Sequence, residues 1–341
     1  MCGIVGSVNI KWDKDPLSTI NHRGPDYQDS IKYNNVYLGH TRLSIQDLSE
    51  AGNQPMQTPD GRFTLIFNGE IYNHWQLREK LKKKGYTFNS KSDSETLINC
   101  WSEWGKESVS MLNGIFAFAI FDKLKSKLFI IRDPFGVKPL YIYEKSNQIA
   151  FASEIKAFVK INNFDFNLNP ESIINYLTFL WSPGSHTMYR FVKKMLPGQI
   201  KEYNTKIFDS VTYNINEKDY FRGEYFDLSE EEWVKKIDIK LNEVVERQMI
   251  SDAPLGFFLS GGLDSSLLVA IAKSQMTNQK LDCFTIDQFK NSNDRIFEND
   301  LPYAKKVAKE LDLSLNILDT RLDWIESFDQ MVWQLDEPQA D

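Results

Sequence analysis

The sequence predicts two domains of different class, a β-rich α+β domain followed by a parallel α/β domain. Three observations carry this. The chain has 341 residues, more than one hydrophobic core usually supports. Its N-terminal part is dense in short apolar β-like runs, FTLIF, IFAFAIFD, KLFIIRD and LYIYE, separated by Asn, Gly, Asp and Pro turn signals. Its C-terminal part alternates strand-like and helix-like segments, the pattern of a parallel sheet. The expected boundaries are 1–215 for the first domain, 216–228 for a linker and 229–341 for the second domain.

Two helices interrupt the first domain. NHWQLREKLKKKG has Asn73 as a candidate cap, sets Leu77 and Leu81 on one face and stops at Gly85. SDSETLINCWSEWG places Glu95 three residues after Ser92, the spacing of a capping box, and stops at Gly105. The polar stretch NINEKDYFRGEYFDLSEEE reads as the linker, leading into a helix over SEEEWVKKIDIKLNEVVERQM. PLGFFLSGGLDSSLLVAIAKSQM then reads as strand, Gly-rich turn and helix, KLDCFTID as a strand, LPYAKKVAKELDL as a helix and LSLNILD as a strand. The chain shows no internal repeat and no low-complexity segment.

Composition narrows the function classes. A hydrophobic content of 42% with 26% charged residues is ordinary for a globular protein. The net charge of −7 argues against nucleic-acid or anionic-membrane binding. The three cysteines, Cys2, Cys100 and Cys283, are too few and too far apart for a disulfide or metal framework, which points to a reducing, cytoplasmic setting. Cys100 and Cys283 sit in apolar stretches and are expected to fill cores. The sequence has neither a membrane-spanning run nor a signal peptide.

The Gly-rich turn LSGGLDSS is placed where an anion cradle belongs, between an apolar strand and a helix. Gly261 and Gly262 would let backbone approach a phosphate, with helix-start amides and the hydroxyls of Ser260, Ser265 and Ser266 as donors. No Lys follows the second glycine, so this is not a Walker loop. Asp264 fits an anion site only by holding a metal ion or orienting the loop. A simple capped helix after a tight turn is the structural alternative.

Near the N-terminus, MCGIVG puts Cys2 behind an initiator methionine that is usually trimmed. The mature chain would then begin with a thiol beside its own α-amine, groups titrating near ~8.5 and ~8. An inert cysteine at a buried or frayed end is the plainer alternative. Arg42, in LGHTRLSI, suits a bidentate carboxylate clamp, although most arginines are only solvated or paired. Asn68 and Gly69, in FTLIFNGEIYN, form the strongest short hairpin signal; alternatively they donate to an oxyanion. Asp93 belongs at a helix cap, or on a substrate ammonium.

These fragments are not independent. MCGIVG, HRGPD, GHTRLSIQDLSEAGNQPM, FNGEIYN, SDSE, LNGIFAFAIFD, RDPFGVKPLYI and FASEIKAF occur in the order seen in class-II glutamine amidotransferases. With LSGGLDSS after them, the chain resembles the glutamine-hydrolysing asparagine synthetases over nearly its whole length. The resemblance implies an N-terminal-nucleophile αββα sandwich followed by a partial α/β domain of ATP-pyrophosphatase type. It implies that Cys2 is the nucleophile, with Asn68 and Gly69 as the oxyanion hole. Arg42, Leu43, Ile45, Asn68, Gly69, Glu70 and Asp93 would form the glutamine pocket. Leu259, Ser260, Gly261, Gly262, Asp264, Ser265 and Ser266 would bind ATP, with Ile286 against the adenine, although Asp287 stands where a glycine is usual. The implied partners are glutamine, aspartate or another carboxylate acceptor, ATP and Mg²⁺, with a homodimer as the candidate assembly. The family's second, SGEG-type acidic motif is not in this sequence, which ends at LDEPQAD, so a truncated synthetase half is expected.

Overall fold

The computed structural model describes residues 1–215, 227–276, 281–287, 300–319 and 324–339. Residues 216–226, most of the expected linker, lie outside the described residues. The chain forms two compact units, Met1–Gly223 with Phe328–Asp341, and Glu224–Ser327.

The first unit contains β1 (Gly3–Val8), β2 (Tyr27–Tyr33), β3 (Val36–Arg42), β4 (Met56–Gln57) and β5 (Phe63–Ile71). It continues with α1 (His74–Lys82), α2 (Asp93–Trp104), β6 (Gly114–Asp122), β7 (Lys127–Arg132), β8 (Tyr141–Lys145) and β9 (Gln148–Ala152). It closes with α3 (Pro170–Phe179), β10 (Val192–Lys194), β11 (Gln199–Asn204) and β12 (Ser210–Asn214). Two antiparallel six-stranded sheets result, ordered β10-β8-β9-β1-β3-β2 and β12-β11-β7-β6-β5-β4. Ile4, Val8 and Leu38 of the first sheet share one buried cluster with Ile66, Ala117, Ala119 and Ile130 of the second, so the sheets face each other. Leu77, Leu81, Leu97, Ile98 and Trp101 cover the outer face of the second sheet through Leu65, Phe67, Phe116 and Phe118. The outer face of the first sheet is covered by Leu17, Ile20, Ile155 and Phe158, which lie in short 3-10 turns and the residues bounding them. The expected sandwich therefore holds, with one helical layer thinned to short turns.

The local signals fare unevenly. Leu77 and Leu81 are buried as their spacing requires. Asn73 precedes α1 but its side chain makes no cap; it bridges to Asn113 N at 2.9 Å and Met111 O at 2.9 Å. Ser92 accepts from Glu95 N at 3.3 Å, half of a capping box, while the Glu95 carboxylate accepts from Asn89 N and Ser90 N, each at 2.8 Å. The Asn68–Gly69 hairpin expected from turn chemistry does not form. β5 runs straight through it, pairing Asn68 with Ala117 and Gly69 with Phe116. The backbone of Ile115 and Phe116 lies where a Cβ on Gly69 would go, 2.3 Å from Ile115 O. Close strand approach, not a turn, is what requires this glycine.

The second unit holds α4 (Glu230–Gln248), β13 (Gly256–Phe258), α5 (Leu263–Gln275), β14 (Asp282–Asp287), α6 (Leu301–Glu310) and β15 (Ser314–Asp319). The strands form a parallel sheet in the order β13-β14-β15, as the strand–helix alternation predicts. α4 opens with a complete Ser229–Glu232 capping box. Cys283 is fully buried in this unit's core, and Cys100 in the first unit's. α7 (Trp324–Leu335) follows β15.

Candidate active site

Cys2 immediately precedes β1, whose Gly3 pairs with Thr41 on β3. The thiol therefore meets the residue just past the end of β3. Leu43 N donates to Cys2 Sγ at 3.4 Å, and Sγ lies 3.6 Å from Leu43 O. Burial pushes the Cys2 thiol above its ordinary range, and the carboxylates of Glu70 and Asp93 add to that. Burial also lowers the Met1 terminal ammonium below its usual value, so more of that amine is in its free-base form near neutral pH.

β5 brings the next groups. Ile66 points into the cluster shared with Ile4 and Leu38, and side chains two apart share a strand face. Asn68 and Glu70 therefore face β1 and β3. Here His40 on β3 joins its Nε2 to Phe67 O at 3.0 Å. Asn68 is only 1% exposed, and its Nδ2 has no hydrogen-bond partner. An unmade buried hydrogen bond costs about 1–3 kcal/mol, which an acceptor reaching this amide would offset.

Glu70 accepts from Gln46 Nε2. Asp93, the first residue of α2, accepts from Ile71 N at 2.9 Å, which ties the start of that helix to the end of β5. Burial raises both carboxyls above the usual carboxylate range, and for Glu70 the nearby Asp93 charge raises it further. A cation bound beside them would favour their charged forms.

Arg42 ends β3 nearly buried. Its Nη1 donates to Ser49 O and Asn53 Oδ1, each at 2.7 Å, and its Nη2 donates to Asp47 O. Three of its five N–H bonds thus hold the loop after β3, and Nε and one Nη2 hydrogen lie outside those three bonds. Ile45 lies half-buried in that same loop.

Sequence reasoning passed over several residues here. Arg23 donates from Nε to Cys2 O at 2.9 Å and from Nη1 to Glu154 Oε1 at 2.8 Å. Asp26 Oδ2 accepts from Ser44 N at 2.7 Å. Lys138, 8% exposed, sits in a loop organised by Asp133, whose carboxylate takes the Phe135, Val137 and Lys138 N–H groups at 3.0, 3.0 and 3.1 Å. Burial lowers the Lys138 ammonium, while Glu70 and Cys2 act to raise it. The fragments HRGPD and FGVKPLYI contained Arg23, Asp26 and Lys138, but nothing local marked them.

In the second unit, Gly261 has φ +84°, and a Cβ there would lie 2.4 Å from Ala304 N at the start of α6. Gly262 precedes α5 without any side-chain cap, so the first amides of that helix are free for an anion. Ser260 Oγ and Ser265 Oγ lie 3.0 Å apart, and Ser260 Oγ accepts from Gly262 N at 3.3 Å. The Ser266 hydroxyl is buried with no partner. Asp264 is exposed in the first turn of α5. Leu259, Ser260 and Ile286 line one cavity of about 220 Å³ together with Phe258, Phe284, Thr285 and Asp300. These features fit a phosphate-bearing nucleotide. Among the described residues no three His, Cys, Asp or Glu side chains cluster as metal ligands, and no helix is long and apolar enough to cross a membrane.

Comparison with known proteins agrees with this division. The family described as glutamine amidotransferase domain matches residues 1–214, and the family described as asparagine synthase, which implies ATP use, matches 236–341. Asparagine synthetase [glutamine-hydrolyzing] 1 of Bacillus subtilis is 35% identical across 100% of this chain and 54% of its own length. Putative asparagine synthetase [glutamine-hydrolyzing] 2 of Methanocaldococcus jannaschii is 30% identical across 100% of this chain and 69% of its own. Amidase chyE of Penicillium rubens is 30% identical across 95% and 49%. The chain spans about half the length of the curated Bacillus relative it matches. On the amidotransferase match and the coverage of these relatives, the chain belongs to the glutamine amidotransferases of the asparagine synthase family.

Proposed function

We propose that this protein hydrolyses glutamine at Cys2 and delivers the ammonia to a carboxylate activated with ATP, aspartate being the acceptor. The observations that support the reading are the Cys2 thiol, buried where the charges of Glu70 and Asp93 act on it, and the buried, unpartnered Asn68 amide on the face of β5 that looks toward β1 and β3. With Met1 removed, the Cys2 α-amine takes the thiol proton and the thiolate attacks the glutamine side-chain amide. The oxyanion rests on Asn68 Nδ2 and the Gly69 N–H. The returned proton leaves with ammonia, and water hydrolyses the γ-glutamyl thioester. Asp93 and Glu70 hold the substrate ammonium, and Arg42 takes its carboxylate through the two N–H bonds not committed to the loop. Leu43 and Ile45 border the same pocket.

In this reading residues 1–215 are the glutaminase domain, 216–228 the linker and 229–341 the synthetase part. Leu259, the Ser260–Ser266 loop and Ile286 bind ATP, with Mg²⁺ carried on its phosphates, and the acceptor carboxylate is adenylated with release of pyrophosphate. The match to a protein named an amidase supports a second reading, an acceptor other than aspartate. The test is glutamate and AMP release from glutamine, aspartate and Mg-ATP, using protein shown by intact mass to begin at Cys2. Glutamate and aspartate-dependent AMP together support the full reading. Glutamate with AMP only on another carboxylate supports the second, and glutamate alone limits the chain to glutamine hydrolysis. Absence of glutamate overturns the nucleophile assignment.

A further inference from the structure

The 3-10 turn Ile155–Lys160 has Glu154 at its N-cap position, yet the Glu154 side chain makes no cap. Its Oε1 instead accepts from Arg23 Nη1 at 2.8 Å and lies 3.1 Å from His22 Nε2, while Lys156 Nζ lies 2.5 Å from its Oε2. The missing cap comes from far along the chain. Asp336 accepts from the N–H groups of both Ile155 and Lys156, the latter at 2.9 Å, and its Oδ1 lies 3.4 Å from Lys156 Nζ. Asp336 holds a left-handed backbone, φ 64°, to do so. The next residue, Glu337, is anchored as well, accepting from Tyr141 Oη at 3.0 Å and pairing with Lys194 Nζ at 3.2 Å.

A continuous line of charges follows, from the Cys2 carbonyl through Arg23, Glu154 and Lys156 to Asp336. The four side chains are 8%, 10%, 4% and 8% exposed. In such a place each charge needs its neighbour, and loss of one strands the next. Arg23 holds the main-chain carbonyl of the residue whose thiol and amine must be aligned. Asp336 lies within residues 236–341, the stretch matched by the asparagine synthase family, but belongs to the first compact unit.

We propose that this buried chain positions the nucleophile. Arg23 is then a positioning residue for glutamine hydrolysis, and Asp336 is the contact through which the synthetase part of the sequence sets its rate. The proposal rests on Cys2 being the nucleophile.

The test compares the parent protein, beginning at Cys2, with Asp336→Ala, Lys156→Met and the double variant. Each single substitution is expected to lower kcat for glutamate release about tenfold with KM for glutamine within about twofold, as misplacement of a reacting group does. Iodoacetamide labelling of Cys2, located by peptide mass, slows in step. If the line acts as one unit, the double variant is no worse than the poorer single by more than about twofold. Should Asp336→Ala fail to fold, Asp336→Asn, which keeps shape and one acceptor oxygen while losing the charge, is read the same way. Parental kcat and labelling in the variants, a change confined to KM, or single losses that multiply in the double variant would each overturn the chain alone. A parent that releases no glutamate overturns the nucleophile reading and this proposal together.

Discussion

The two compact units hold their candidate sites in opposite ways. In the first, side chains from the N-terminus, β3, β5 and the start of α2 meet in a buried place, with Asn68 at 1% and Asp93 at 6% exposure. In the second, consecutive residues of one loop present backbone beside solvent, with Leu263 83% exposed and Ser260 bonded to Ser265 in the loop itself. Removing a side chain from a buried site strands its partners, whereas water replaces a lost partner at an open one. The first site should thus be brittle toward side-chain changes, the second toward backbone changes.

The largest expected effect is at Cys2. Cys2→Ala, or retention of Met1, should reduce glutamate release by about 10⁴-fold or more, because each removes the nucleophile or its terminal amine. Glutamine turnover by protein proven by mass to keep Met1 contradicts the terminal-amine role. Asn68→Ala comes next. Loss of one oxyanion donor costs about 10²–10³ in kcat, yet this substitution also deletes an unsatisfied buried amide. Activity should fall steeply while the thermal midpoint barely moves. A large drop in midpoint with kcat preserved would make Asn68 a structural residue.

The open site is tested by the opposite kind of change. Gly261→Ala adds one methyl at φ +84° and drives it against Ala304 N, 2.4 Å away. Nucleotide affinity should fall about tenfold or more as the loop shifts, since an L side chain is disfavoured there. Ser265→Ala, removing a hydroxyl whose contacts are exposed, should change affinity by about twofold or less. Equilibrium titration with ATP reads both, and a larger loss for Ser265→Ala would erase the contrast.

The same contrast explains what could be read from the sequence. The LSGGLDSS loop is contiguous, so its strand, tight turn and helix start were all visible as pattern. Leu77 and Leu81 followed from helical spacing, and the Ser92 cap on Glu95 N from capping chemistry. The buried site was visible only through resemblance, because its parts meet by sheet pairing between distant segments. Local chemistry even misled there. Asn-Gly is a turn signal when only its neighbours are considered, but nine paired residues of β5 against β6 override it. Asn73 likewise left its cap role for Asn113 and Met111 across the fold. Arg23, Lys138 and Glu154 gave no signal at all, since a buried charge is distinguished by its partners, and those lie far away in the chain.

A pH effect tests the buried site further. Glu70 and Asp93 titrate above the ordinary carboxylate range of about 4. Between that range and the raised values, the folded state holds more protons than the unfolded chain, so these groups cost stability as pH rises. A substrate ammonium between them reverses the penalty by favouring their charged forms. Glutamine should therefore bind more tightly as pH rises through this window. In Cys2→Ala, which cannot turn glutamine over, the thermal shift at saturating glutamine should be larger at pH 8 than at pH 5, with affinity changing roughly threefold to tenfold. Glu70→Gln removes the like-charge neighbour and should flatten the dependence. An equal glutamine shift at both pH values would remove the carboxylate pair from the ammonium site.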